Sequence, residues 1–152
     1  MRTVTVLLAC SILRVAAQEP LKIWGLTSNG GVNNKGTVFS VNADGTAFTT
    51  VYSFTDASGW GPEGGLCLAP SGLLYGLTTF GGEGAPAGGT LFTIDPATSA
   101  FTKLHDFQLT DGGYNWARPI VGNDGLLYFA GYAGSDGGGA IFALDPALDT
   151  YV

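Results

Sequence analysis

The only histidine, His105, stands beside Asp106 in the segment KLHDF. An imidazole next to a carboxylate would suit general acid–base chemistry if the two side chains met. In an extended segment, neighbours point to opposite faces, so these two do not pair. A second copy of the segment, TVYSF, carries Tyr52 where His105 stands. That exchange marks a strand position, not a catalyst. Ser/His/Asp catalysis is unsupported, and no catalytic residue is assigned. GSDGGG around Asp136 hints at a calcium loop, but one carboxylate without spaced partners does not fill a calcium shell. The two cysteines, Cys10 and Cys67, offer no paired zinc motif. The Gly-rich stretches lack the following Lys-Ser/Thr and helix that a phosphate loop needs. No metal and no cofactor is expected.

What remains are aromatic and charged residues in Gly-rich connections: Trp60, Asp111, Tyr114, Trp116 and Asp136, with Glu83 and Arg118 nearby. Aromatic rings beside carboxylates can recognise a sugar or a peptide. The same tryptophans can also serve as packing between structural units. Whether these residues meet depends on the elements that carry them.

Those elements repeat. KIWGLTSNGG, LLYGLTTFGG and LLYFAGYAGS are three forms of one phrase. Each is followed by a second phrase: GTVFSVNADG, GTLFTIDPAT and GAIFALDPAL. FTTVYSF and FTKLHDF form a third. Fixed order at a period of about 51 residues indicates tandem structural units. TLFTID alternates, with Leu91, Thr93 and Asp95 on one face and Phe92 and Ile94 on the other, as in a half-buried strand. PSG, NDG, NADG and DPAT supply the turns, in which Asp44, Asp95 and Asp124 act as turn formers. One unit thus reads as a four-stranded antiparallel meander over Gly64–Ala69, Leu73–Thr79, Gly89–Asp95 and Phe101–Phe107. The fold class is all-β, with β-propeller-type blades. About two and a half blades are present, over residues 21–54, 64–107 and 117–152, an incomplete ring. Phe39, Phe92 and Phe142 share one repeat position and should be equally buried between blades. In such a meander the connections holding the aromatic and acidic set emerge at one end.

LYGLTTFGGEG…GGTLFTIDPATSAFTKLHDF and DGLLYFAGYAGSDGGGAIFALDP resemble the Gloeo/Verruco (GloVer) repeats of secreted bacterial proteins. The resemblance runs from Leu21 to Val152 and implies an exported, propeller-like repeat protein. The third unit departs from it, with YFAGY in place of the expected YGTT. Kelch repeats are the second choice; their Gly-Gly is missing, and Tyr151 stands where their Trp would be.

The bulk figures agree. Gly contributes 25 of 152 residues, and charged residues only 12%. A chain poor in charge and rich in aromatics is not disordered. The N-terminal stretch MRTVTVLLACSILRVAA reads as a signal peptide over residues 1–17. Alternatives are an ordinary strand or, through LLAC, a lipoprotein box. Cleavage after Ala17 removes Arg2 and Arg14 and no acid, taking the net charge from −6 to −8. It leaves Cys67 as the only thiol, read as buried and inert. An acidic chain repels phosphate, so nucleic acid is excluded as a partner. Membrane insertion after cleavage is likewise not expected. Two function classes fit. The first is a secreted or cell-surface module that binds a protein or polysaccharide, or serves structurally, without catalysis. The alternative is a fragment of a lactonase- or lyase-like propeller enzyme whose catalytic residues lie in missing blades. In either case further blades or self-association would complete the ring.

Overall fold

A computed structural model of the protein describes residues 20–84, 86–110, 112–134, 138–146 and 150–151. The expected signal segment lies outside them, as do Asp111 and Asp136 of the expected site. The chain forms three antiparallel sheets in sequence order. The first holds β1 (Lys22–Thr27), β2 (Thr37–Asn42) and β3 (Thr49–Ser53). The second holds β4 (Cys67–Leu68), β5 (Leu74–Leu77), β6 (Ala87–Ile94) and β7 (Phe101–Gln108). The third holds β8 (Ile120–Val121), β9 (Leu127–Gly131), β10 (Ala140–Asp145) and β11 (Thr150–Tyr151). No helix occurs among the described residues.

One register recurs in all three sheets: Gly25 faces Phe39, Gly76 faces Phe92, and Phe129 faces Phe142. In the first two sheets the phenylalanine ring lies over the glycine so closely that a Cβ there would strike it. A strand glycine at a close approach of this kind is a packing device. The YFAGY departure puts Phe129 at the glycine position. The two rings then stack, 5.2 Å apart and inclined by 16°, and Phe142 instead covers Gly112 of the preceding connection.

Strand alternation gives each sheet two apolar faces. A leading face carries Ile23, Phe39 and Val41 in the first sheet, and Leu74, Phe92 and Ile94 in the second. In the third it carries Leu127, Phe129, Phe142 and Leu144. A trailing face carries Trp24, Leu26 and Val38, then Tyr75, Leu77 and Leu91, then Tyr128, Ala130 and Ile141. Two cores follow from this arrangement. The first trailing face packs on the second leading face, with Phe54, Tyr52 and Phe101. The second trailing face packs on the third leading face, with Phe107.

The equal burial expected of Phe39, Phe92 and Phe142 does not hold. Phe92 is fully buried, whereas Phe39 and Phe142 are half-buried. Phe92 lies within the first core against Phe54 and Phe101, whereas Phe142 packs at the margin of the second, over Gly112, and no sheet among the described residues covers Phe39. Phe39 looks outward, stacked on the exposed Phe48. Cys67, expected to be buried, is half-buried at the margin of the second core. The turns follow expectation. Gly45, Gly72 and Gly125 take left-handed φ values of 84°, 85° and 83°. The Asp44 carboxylate accepts from the Thr46 amide at 2.9 Å, that of Asp95 from Ala97 at 2.8 Å, and that of Asp124 from Leu126 at 3.1 Å.

Candidate functional site

The connections after β3 and β7 run from one sheet to the next and obey a common geometry. Gly61 donates its amide to the Lys35 carbonyl of the first sheet's loop, and its own carbonyl accepts from Thr79 of the second. Fifty-three positions later, Tyr114 donates to the Gly88 carbonyl and accepts from Tyr132. One residue thus stitches each pair of sheets. It must adopt a left-handed conformation: φ is 64° at Gly61 and 59° at Tyr114. Glycine takes this conformation freely; a bulky residue there is strained by roughly 1–3 kcal/mol. The second junction therefore carries an aromatic ring at a position whose backbone favours glycine.

The surroundings of Tyr114 differ from those of Gly61 in the same sense. In the first two sheets a threonine pair closes the loop end, Thr27 with Thr37 at 2.9 Å and Thr78 with Thr90 at 3.0 Å. In the third sheet these positions are Gly131 and Ala140. The backbone of Gly112 fills the space beside Gly131, and a cleft of about 210 Å³ is lined by Tyr114, Trp116, Ala117, Ala130, Gly131 and Tyr132. Trp116 and Tyr132 lie 5.2 Å apart and are inclined by 37°. They are 47% and 68% exposed, too open to be core residues. Between Tyr114 and Trp116, the Asn115 side chain is fully buried, and its amide has no hydrogen-bond partner among the described residues. Its counterpart at the first junction is the apolar Pro62.

Trp60 belongs to the same end of the molecule but to a closed arrangement. It stacks on Phe80 at 4.4 Å, and the Lys35 ammonium lies 5.3 Å from its ring. Phe80 in turn meets Tyr114 edge-on at 5.5 Å. Of the expected set, Tyr114 and Trp116 come together, while Trp60 joins them through Phe80 as packing. Tyr132 and Phe80 were not expected. Tyr132 lies in the YFAGY departure, and that departure was the signal for it.

The ionic groups serve structure. Lys103 pairs with Asp106 at 2.9 Å and Glu83 at 3.5 Å, and donates to the Ala57 carbonyl at 3.0 Å. Burial works against charge on Lys103, but Asp106 and then Glu83 overcome it and hold the ammonium above the usual lysine value. Asp106 also accepts from the Glu83 amide at 2.9 Å, and His105 packs edge-on against Phe107. Hydrogen bonds from Thr46, Thr98 and Tyr128 hold Asp44, Asp95 and Asp124 below the ordinary carboxylate range. The Tyr128 hydroxyl, donating to Asp124 at 2.6 Å, is held above its own usual value. A larger cleft, about 400 Å³, lies at the opposite, turn end, beside Pro70, Asp124 and Pro146. Its Asp124 is already engaged by the Leu126 amide and the Tyr128 hydroxyl, and no aromatic ring lines it. Among the described residues, no three His, Cys, Asp or Glu side chains gather as metal ligands.

Tandem antiparallel sheets packed face to face, with aromatic connections at one end, define an all-β repeat protein of propeller-like build. The chain belongs to the Gloeobacter/Verrucomicrobia repeat family, whose profile matches residues 14–152. The crystal structure of TolB from Acinetobacter baumannii, a β-propeller protein, is similar in fold, with a TM-score of 0.55 at 16% identity. The similarity covers 86% of this chain but 29% of that one. No curated protein matches.

Proposed function

We propose that the protein is a secreted or cell-surface binding module without catalysis, built from propeller blades, and that its ligand is a neutral polysaccharide. The observation that carries this reading is the second junction. The repeat uses a closed, glycine-bearing junction once. At its second occurrence it bears a strained Tyr114, two exposed rings and a buried amide with no partner among the described residues. Strain and unsatisfied polar groups concentrate where structure serves binding. Tyr and Trp present an apolar ring face with a polar edge, which suits a sugar ring's C–H face and hydroxyl rim. The rings carry no charge and the chain is acidic at −6, which favours an uncharged ligand over an anionic one. Export rests on the N-terminal segment.

The test titrates tryptophan emission with neutral hexasaccharides based on glucose, xylose or N-acetylglucosamine. At least one should shift the emission of the wild type and leave Trp116→Ala unchanged. Silence of all three, or equal binding by Trp116→Ala, would overturn the reading.

A further inference from the structure

Gly30 and Gly81 hold one position in the repeat, in the loops after β1 and β5. Both take a left-handed φ, 89° and 76°. The carbonyl of each accepts the amide of a later glycine, Gly36 at 3.1 Å and Gly89 at 3.0 Å. This backbone conformation favours glycine, so the residue type is set by the loop. The residue before it varies: Phe80 in the second loop, Asn29 in the first. Of the six asparagines in the chain, Asn29 alone precedes a glycine. An asparagine side-chain carbon and the next backbone nitrogen can close a succinimide ring, and a following glycine offers no Cβ to hinder closure. Apart from its chain neighbours, no described residue lies within 4 Å of where a Cβ on Gly30 would stand. The Asn29 side-chain amide makes a long hydrogen bond to the Ser28 hydroxyl, at 3.4 Å. The Gly30 nitrogen is not idle, however. It donates to Oδ1 of Asn34 at 3.1 Å.

We propose that Asn29 is a self-modification site and that Asn34 sets its rate. The Gly30 nitrogen gives up its proton to a base in solution and attacks Cγ of Asn29. The N–Cγ bond forms as the Cγ–Nδ2 bond breaks, and ammonia leaves with a proton taken from water. Water then opens the succinimide. Attack at Cγ breaks the new bond and leaves aspartate; attack at the main-chain carbonyl breaks the original peptide bond and leaves isoaspartate. The balance is one water in and one ammonia out, with no oxidation. The first step needs a free nitrogen lone pair, so a hydrogen bond that holds the Gly30 proton opposes it. Asn34 is fixed for this task. Its own amide donates to the Gly31 carbonyl at 3.3 Å, and its left-handed φ of 53° turns the side chain back toward Gly30. The product matters to the fold. Isoaspartate routes the main chain through Cβ and adds one negative charge to the −6 of the chain. The same loop carries the Gly36 amide bound to Gly30, and the Lys35 carbonyl that accepts from Gly61 at 3.1 Å. Modification at Asn29 thus loosens the loop on which the first junction is stitched.

Incubation of the full chain at mildly alkaline pH, followed by peptide mapping with mass spectrometry, decides the matter. In urea, Asn29 should convert before any other asparagine. In the folded chain it should convert more slowly than in urea. Asn34→Gly removes the acceptor and suits the left-handed φ. With an unchanged circular-dichroism spectrum it should speed the folded reaction about fivefold, the factor that the net strength of one such hydrogen bond corresponds to. Asn34→Asp keeps an acceptor oxygen in place and should stay as slow as the wild type. Asn29→Gln should abolish the reaction, because a larger ring closes far more slowly. Hydrogen exchange at the Gly30 amide reads the same cap without any variant and should be slower than in the unfolded chain. An unfolded chain in which Asn29 stays intact would overturn the proposal. So would a folded wild type that converts as fast as the unfolded one, an Asn34→Gly chain that is folded yet no faster than the wild type, or a Gly30 amide that exchanges at the unfolded rate.

Discussion

Phe92 and Phe39 occupy one repeat position, each over a glycine, yet differ in burial. Phe92→Ala should cost about 3–5 kcal/mol by the usual scale for buried phenylalanine. Phe39→Ala should cost less than half as much, and urea denaturation would show the difference. Tyr114 sets two terms against each other. Tyr114→Gly removes a half-buried ring but also releases a left-handed φ of 59°. The net stability loss should stay under about 1 kcal/mol, because strain relief of roughly 1–3 kcal/mol offsets the lost packing. Ligand-induced changes in tryptophan emission should nonetheless disappear. A loss above about 3 kcal/mol would show that the ring is architectural. The sequence made Tyr114 and Trp116 visible as aromatics in a connection. It did not show that Tyr114 replaces Gly61, because the connections share almost no residues and align only through their hydrogen bonds.

Among the elements, the hairpin turns carry the pH response. Asp44, Asp95 and Asp124 are held below the usual 3.8 by hydrogen bonds present only in the fold. A depressed folded value means that their contribution is complete above pH ~3.8 and is lost as pH falls through the lower, folded value. The melting temperature should therefore be flat from pH 7 to about 5 and fall below about 4. Asp95→Asn combined with Asp124→Asn should flatten that fall, since amides accept the same turn hydrogen bonds without titrating. The strands themselves were legible from period and alternation, with β5 and β7 within two residues of their expected limits. β4 was not: it covers Cys67–Leu68 and not Gly64–Ala69. Gly64 presses against the backbone of Ala117 and Arg118, and Gly65 has φ 88°, so both belong to the crossing connection. β6 starts earlier than expected, at Ala87, because an irregularity near Gly88 and Gly89 extends its pairing.

For the whole molecule, the two cores share only the second sheet, so stability should be nearly one-dimensional along the stack. Phe54→Ala strikes only the first core. It should accelerate hydrogen exchange in β1–β3 while β9 and β10 keep most of their protection. Uniform acceleration across all three sheets would show a single cooperative unit. The order of the sheets could be read from three repeated phrases, because each phrase is one strand and its polarity fixes the next. The two separate cores could not, since periodicity shows that a strand has two apolar faces but not which face meets which neighbour.

The shared register of Gly25 with Phe39 and Gly76 with Phe92 also bears on how such a gene can change length. Unequal crossing-over between the stretches encoding WGLT and YGLT would excise Gly25 to Tyr75 and join Trp24 directly to Gly76. The spliced strand keeps its alternation, and its glycine still lies under Phe92. Its new neighbour is a face of a type already present. Loss or gain of one repeat length is thus neutral to local packing, and selection on such a lineage would act on the number of sheets before it acted on any single residue.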